Sequence, residues 1–409
     1  YGLLRYGVKV RPEVGEQTVT VWLIDWEHPE NNDFAVAEEV TVYGVHTKRP
    51  DLVLYVNGIA LGVLELKRSI VSVSEGIRQS LDSQKKEFIR PFYTTVQLVL
   101  AGNDTVGLRY GVIETPEKYW LRWKEAEAPA EVLAAAGDNP LLRELGQLCG
   151  KARLLEVIHD FMVFDAGIKK TCRHNQYFGV RAAEKRVRSR EGGILWHTQG
   201  SGKSLIMVWL AKWIREHVKD ARVLILTDRT ELDEQIEKVF KGVSESIHRT
   251  KSGADLVRVL NASEEWLIGS LIHKFSASEE GDIVEFLTDT QGHLPKGFHA
   301  KGEIFVFVDE CHRTQSGKLH DAMKAILPGA MLIAFTGTPL LKSDKRRSIE
   351  TFGPYIHTYK YDEAVRDGVV LDLRYEARDI DQSITSPAKV DQWFELKTKG
   401  LTDVARAQL

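Results

Sequence analysis

Residues 194–204 read Ile194-Leu195-Trp196-His197-Thr198-Gln199-Gly200-Ser201-Gly202-Lys203-Ser204. The apolar run from Gly193 to Trp196 has the character of a short buried strand, and Leu205 to His217 has that of a helix. Strand, glycine turn, Lys-Ser and helix is the order of a phosphate-binding loop. Glycines let backbone N–H groups converge on phosphate oxygens, and the helix N-terminus adds favourable partial charge. Lys203 then reaches the β- and γ-phosphates, and the Ser204 hydroxyl ligates Mg²⁺. Thr198, Gly200, Ser201 and Gly202 supply the cradle. His197 stands where G-x-x-x-x-G-K-[ST] has its first glycine, so the tight part of the turn runs from Gly200 to Gly202. The competing reading is a surface glycine turn ahead of a helix, and the rest of the chain decides between them.

Three further buried-strand candidates follow, and each ends in a polar cluster. Arg222–Thr227 ends in Asp228-Arg229, Glu303–Val308 in Asp309-Glu310-Cys311-His312, and Met331–Phe335 in Thr336-Gly337-Thr338. Strands alternating with helical segments imply a parallel sheet, where ligand chemistry gathers at the carboxyl ends of the strands. Asp309 is placed to hold the Mg²⁺–water shell of a nucleotide, and Glu310 to orient or deprotonate the attacking water. Lys203 and Asp309 are expected on adjacent strand–loop units of this sheet.

The first part of the chain carries a second chemistry. Asp51-Leu52-Val53-Leu54-Tyr55-Val56-Asn57-Gly58-Ile59 and the run to Glu65-Leu66-Lys67 read as a hairpin with acids at both ends. A two-residue type I′ turn at Asn57-Gly58 would put Asp51 and Glu65 on opposite faces. A three-residue loop, Val56-Asn57-Gly58, would instead gather Asp51, Val53, Tyr55, Val63, Glu65 and Lys67 on one face. Leu52, Leu54, Ala60, Leu64 and Leu66 would share the other. Burial of that apolar set favours the second register, so a three-residue loop with a bulge is predicted. Asp51 and Glu65 are hard oxygen ligands suited to Mg²⁺, with the Leu66 carbonyl as a further donor, and Lys67 can orient water or offset transition-state charge. Gln79, on a helix expected over about 74–89, is in position to look back at these residues.

Composition narrows the class. Of 409 residues, 43% are apolar and 28% charged, the balance of an ordinary globular protein, and the three cysteines lack metal-ligand spacing. A reducing, cytoplasmic setting and no membrane are expected. The net charge of −3 leaves phosphate contacts to local basic patches, Lys185-Arg186-Val187-Arg188 with Arg190, and Lys345-Arg346-Arg347. The opening Tyr1 reads as the start of a piece of a longer polypeptide. Residues 1–113 are expected to form an α/β nuclease domain, 114–160 a helical connector, 161–340 a first motor domain, and 341–409 a linker with the truncated start of a second motor lobe. Trp120 and Trp123 in the connector read as packing residues.

Pro50-Asp51, thirteen intervening residues and Glu65-x-Lys67 resemble the PD-(D/E)XK nuclease signature. Gln79 resembles the glutamine of the Q-x-x-x-Y motif of RecB-like nucleases, with Ser83 in the tyrosine position. The motifs from His197 to Ser204, Asp309 to His312 and Thr336 to Thr338 resemble those of superfamily 2 helicases and translocases with a RecA-like fold. By that resemblance Thr336-Gly337-Thr338 and His312 couple hydrolysis to movement, Asp228-Arg229 fall where a DNA-backbone motif lies, and Gln176 corresponds to an adenine-reading glutamine. The order of nuclease and motor resembles the motor (R) subunit of a type I restriction endonuclease. The resemblance implies ATP-driven translocation of double-stranded DNA, Mg²⁺-dependent cleavage, and separate methyltransferase and specificity subunits. A repair or type III-like helicase fused to a nuclease, and a DNA-binding module switched by ATP with an inactive nuclease face, are the alternatives.

Overall fold

The computed structural model describes residues 1–13, 15–227, 230–243, 245–271, 288–309, 323–324, 326–338, 349–350, 352–372, 386–400 and 406. Asp228, Arg229, Glu310, His312 and the 345–347 basic patch lie outside the described residues. The chain divides into two units, Tyr1–Val370 and Leu371–Leu409. The described part of the second includes a helix over Pro387–Thr398.

The first unit opens with a one-turn helix α1 (Gly2–Tyr6) and a short hairpin of β1 (Val8–Val10) and β2 (Val19–Val21). A five-stranded sheet follows: β3 (Phe34–Glu38), β4 (Leu52–Val56), β5 (Ile59–Leu66), β6 (Leu98–Asn103) and β7 (Gly107–Gly111), in that spatial order. Only β5 and β6 run parallel, and α2 (Val73–Ser83) makes the crossover that a parallel pair requires. Ser72 caps α2 by accepting a hydrogen bond from the Ser74 N–H (3.3 Å). Val73 and Ile77 on its buried face pack with Val63, Val99 and Ala101 on one side of the sheet.

The β4–β5 hairpin corrects the predicted turn. Val56 pairs with Ile59, and both Asn57 (φ 50°) and Gly58 (φ 76°) take the left-handed conformation of a two-residue type I′ turn. The register then shifts between Leu54 and Tyr55, with Leu54 opposite Gly62 and Leu52 opposite Leu64. The extra residue sits inside β5, next to the turn, instead of within it. One further step in this register sets Asp51 across from Glu65, so the predicted pairing of the acids stands on a different device. Ala60 pairs with Tyr55, which moves it to the acidic face. Val42 makes an isolated bridge to Lys48, and Phe34–Glu38 is the edge strand of this sheet.

Helices α3 (Ala130–Ala136), α4 (Pro140–Leu148) and α5 (Lys151–Asp160) occupy the stretch expected to be a connector. It is no free tether. Leu141 and Leu148 of α4 and Leu154 of α5 join Leu64, Leu98, Leu100 and Leu108 in one core that continues past residue 160 to Tyr177, Ile206 and Trp209. The other face of the five-stranded sheet is apolar and needs that cover. Trp123 is fully buried, 5.4 Å from the Tyr177 ring, and Trp120 is buried against the α2 side of the sheet.

A hairpin of β8 (Met162–Asp165) and β9 (Ile168–Thr171) leads to α6 (His174–Ser189), β10 (Gly193–His197), α7 (Lys203–His217) and β11 (Ala221–Thr227). After α8 (Thr230–Gly242) come β12 (His248–Arg249), α9 (Gly253–Asn261), β13 (Leu267–Leu271), β14 (Glu303–Asp309), β15 (Met331–Thr336) and β16 (Tyr355–Tyr359). The seven strands from β10 onward form an all-parallel sheet in the order β12-β13-β11-β14-β15-β10-β16. β11, β13 and β15 are buried along their whole length, which is why they read as continuous apolar runs rather than alternating ones. The edge strand β16 comes from the stretch after 340.

Candidate nuclease and nucleotide sites

On the five-stranded sheet, Glu65 is 1% exposed near the end of β5. Burial and then the charge of Asp51 push its carboxyl up to about 8. Asp51 Oδ2 accepts the Leu66 N–H (2.7 Å), fixing its carboxylate beside the strand end. Lys67 Nζ donates to the Leu66 carbonyl (3.0 Å) and to Gln79 Oε1 (2.8 Å). The other end of the same amide, Gln79 Nε2, donates to Glu65 Oε2 (2.6 Å). Gln79, expected only to look towards the site, is the bridge between its acid and its base. A neutral amide suits that position because it donates to a carboxylate and accepts from an ammonium at once. Asp51, Glu65 and the Leu66 carbonyl make a hard-oxygen set that fits Mg²⁺ in kind and charge. Among the described residues no cluster of three or more His, Cys, Asp or Glu side chains offers a competing metal site.

In the seven-stranded sheet, β10 leads into the glycine loop and α7 leaves it. Gly200 (φ 81°) and Gly202 (φ 87°) both adopt the left-handed conformation. Ser201 donates to the Thr198 carbonyl through its N–H (3.2 Å) and its hydroxyl (2.6 Å), and the Thr198 N–H donates to the Tyr359 carbonyl (2.9 Å). Lys203 Nζ lies 3.4 Å from the His197 carbonyl, and Ser204 follows it in the first turn of α7. Asp309 closes β14 and is buried; it pairs with Phe335, the neighbour of Thr336 on β15. Thr336 is buried and its Oγ1 meets the Thr338 N–H at 3.4 Å, which shapes the turn through Gly337.

Lys203 and Asp309 are not on adjacent units. β15 lies between β10 and β14, so the two strand ends are about 10 Å apart. That gap suits a nucleotide phosphate and a hydrated cation, with Thr336 at the end of the strand in between.

Gln176 is placed differently from the expectation. Its Oε1 accepts the Arg173 N–H (2.8 Å), and its Nε2 donates to the carbonyls of Ser201 (3.1 Å) and Gly202 (3.3 Å). Both edges of the amide that were expected to meet adenine are engaged with the backbone. The left-handed conformation of Gly202 requires glycine there, and a Cβ would also displace the end of the Gln176 side chain, whose Nε2 would lie 2.2 Å from it.

Residues 175–407 match the SWI2/SNF2 ATPase family, and residues 1–118 match the type I restriction enzyme R protein N terminus. The chain belongs to the R-subunit family of type I restriction enzymes. The putative type I restriction enzyme MjaIXP endonuclease subunit of Methanocaldococcus jannaschii is 30% identical, over 94% of this chain and 39% of that protein. The HindI endonuclease subunit of Haemophilus influenzae is 29% identical, over 92% of this chain and 38% of that protein. The chain thus spans about two fifths of the length of these relatives. A SWI2/SNF2 ATPase core from Sulfolobus solfataricus in complex with double-stranded DNA aligns with a TM-score of 0.36 and 18% identity over 51% of this chain and 40% of that one, too distant to carry residue roles.

Within this R-subunit chain, several residues acquire a place that the sequence alone did not signal. His197 is fully buried and shares a 2.8 Å hydrogen bond between its Nε2 and His357 Nδ1, with Asn175 Nδ2 3.4 Å from its other ring nitrogen. Burial and the neighbouring His357 hold His197 well below the usual histidine range. Asp367 accepts from Tyr359 (2.7 Å) and pairs with Lys124 and with His174 (3.2 Å). Beside it opens a cavity of about 290 Å³ whose cationic lining is Arg109, Lys118, Arg122, Lys124, Arg173 and Arg366. The 185–190 patch is less available: Arg186 pairs with Glu191, Arg190 with Glu303, and Arg188 lies over the Trp213 ring. Among the described residues no helix is long and apolar enough to cross a membrane.

Proposed function

We propose that this chain couples ATP-driven translocation of double-stranded DNA to Mg²⁺-dependent endonucleolytic cleavage, as the restriction subunit of a type I restriction-modification complex. Methyltransferase and specificity subunits would be its partners, and the cytoplasm its location. The observation that supports this most is the gathering of Asp51, Glu65 and Lys67 at the end of β5, with Gln79 bridging Glu65 to Lys67, in the same compact unit as the phosphate-loop sheet.

In this reading Asp51, Glu65 and the Leu66 carbonyl hold Mg²⁺, which when bound supplies Lewis-acid polarisation of the scissile phosphate. Lys67 orients the attacking water and offsets charge on the phosphorane-like transition state, while Gln79 keeps the lysine in line with Glu65. In the motor, Thr198 to Gly202 cradle the triphosphate, and Lys203 neutralises it. Ser204 and Asp309 hold the nucleotide's Mg²⁺, and Glu310 activates water. Thr336, Gly337, Thr338 and His312 pass the hydrolysis state to the DNA contacts, which include Asp228-Arg229. Gln176 steadies the phosphate loop from behind and can present its amide to adenine when the loop opens around ATP. The cationic cavity beside Asp367 adds attraction for polyanionic ligands near the junction of nuclease and motor.

The test separates the two chemistries. Asp51→Ala and Lys67→Ala abolish DNA cleavage and leave DNA-stimulated ATP hydrolysis in place; Lys203→Ala removes hydrolysis. Cleavage surviving both nuclease substitutions sinks the nuclease assignment, and unchanged hydrolysis in Lys203→Ala sinks the motor one. Affinity isolation of the full-length protein brings down a DNA methyltransferase and a specificity subunit; their absence favours a stand-alone helicase–nuclease.

A further inference from the structure

Ser83 lies four residues after Gln79 on α2 and is buried, its hydroxyl donating to the Gln79 carbonyl (3.0 Å). A serine in a buried site leaves room beside it, and that room is filled from elsewhere in the chain. Tyr93, from the 3₁₀ turn Arg90–Thr94, is 1% exposed and belongs to the core between α2 and the sheet, with Val63, Ile77 and Val99. Its hydroxyl lies beside the side chains of Ser80 and Ser83, close enough to Glu65 to feel its charge. Among the described residues it makes no well-formed hydrogen bond of its own. Packing alone does not call for that oxygen. A phenylalanine would fill the same core without burying a hydroxyl, which costs on the order of 1–3 kcal/mol when poorly bonded.

We propose that Tyr93 is a positioning residue of the nuclease face: wedged under α2 against Ser80 and Ser83, it sets the turn that carries Gln79 and so the bridge from Glu65 to Lys67. The inference rests on the nuclease reading above. It follows from the direction of the contacts. Gln79 touches both ends of the catalytic set, and Ser83 is bonded to its backbone. Anything that fixes the Ser80–Ser83 turn therefore fixes Gln79. A shift of about 1 Å in such a group is enough to cost up to a hundredfold in rate.

The test uses the full-length protein and three variants. Tyr93→Phe keeps the ring and removes the oxygen. Cleavage at saturating DNA falls about tenfold or more, while the KM for DNA and ATP hydrolysis stay close to the parent's and the melting temperature stays level or rises. In the metal-free protein, amide exchange across residues 79–83 speeds up. The swap Ser83→Tyr with Tyr93→Ser returns ring and hydroxyl to the same space from α2, and restores most of the lost rate. A parental cleavage rate and parental exchange in Tyr93→Phe overturn the proposal. So does a rate loss that tracks a lower melting temperature and is not recovered by the swap, since that is the behaviour of a residue that only packs. Asp51→Ala run alongside keeps the two readings apart: if it still cleaves, the nuclease assignment has failed, whatever Tyr93 does.

Discussion

At the scale of single residues, Glu65 carries the clearest consequence. Its carboxyl is pushed up to about 8, against 4.5 for an ordinary glutamate. The folded state therefore binds a proton more tightly than the unfolded state, and stability falls as pH rises from about 4.5 to about 8. Without divalent cation, Glu65→Gln should match the parent near pH 4 and melt higher near pH 9, by on the order of a few degrees. Thermal melts of parent and variant in EDTA at the two pH values read the difference directly, and a gap no larger at pH 9 than at pH 4 would contradict the buried-acid assignment. Gln79 is the companion case. Gln79→Ala removes the acceptor of Lys67 Nζ and the donor to Glu65. Cleavage should fall by about tenfold to a hundredfold with ATP hydrolysis untouched. Gln79→Glu should be worse than alanine, because it sets a third carboxylate beside an acid already costly to ionise.

At the scale of elements, much was legible because chemistry at the carboxyl ends of buried strands announces itself: an apolar run, then Gly-Ser-Gly-Lys-Ser, Asp-Glu or Thr-Gly-Thr. Strand order was not legible. Nothing in the run Met331–Thr336 says that it lies between β10 and β14. The hairpin shows a subtler limit. Asn57-Gly58 signalled its type I′ turn correctly, but the pairing of Asp51 with Glu65 depends on a bulge within β5. The apolar pattern signalled an extra residue in the hairpin, but not that it would sit within β5 instead of in the turn. His197 is a third instance. It departs from the glycine pattern because it is the last residue of β10 and fills the space between α6 and β16, 3.1 Å from where a Cβ on Gly179 would sit. His197→Gly should restore the motif and still harm the protein. It leaves a cavity and strips His357 of its partner, at a cost of about 2–4 kcal/mol. Urea unfolding checks this, and a variant as stable as the parent would show that the ring does not hold these elements together.

At the scale of the whole first unit, the question is what joins the two chemistries. The core is continuous from the nuclease sheet through α4 and α5 to α6 and α7, and Arg5 forks onto Glu216 of α7 at 2.7 and 2.8 Å. The most specific link is Asp367. Burial alone would raise its pKa, but hydrogen bonds from Lys124 and Tyr359 hold it below the ordinary range. Lys124 follows the nuclease sheet, His174 begins α6, and Tyr359 ends β16. Three residues after Asp367, Val370 comes within 3.2 Å of where a Cβ on Gly200 would stand, so one short segment touches both Lys124 and the phosphate loop. A rearrangement of that loop on binding ATP must be felt at Asp367, and through Lys124 at the edge of the nuclease sheet. Asp367→Ala leaves Lys124 and His174 without their shared carboxylate, and should cost about 3 kcal/mol. Its stronger signature is in exchange kinetics. In the parent, a non-hydrolysable ATP analogue should slow amide exchange in residues 118–124 as well as in the phosphate loop. In Asp367→Ala the loop should still be protected and the connector should not. Protection of both segments in the variant would mean that the state of the nucleotide reaches the nuclease by another route, through the shared core.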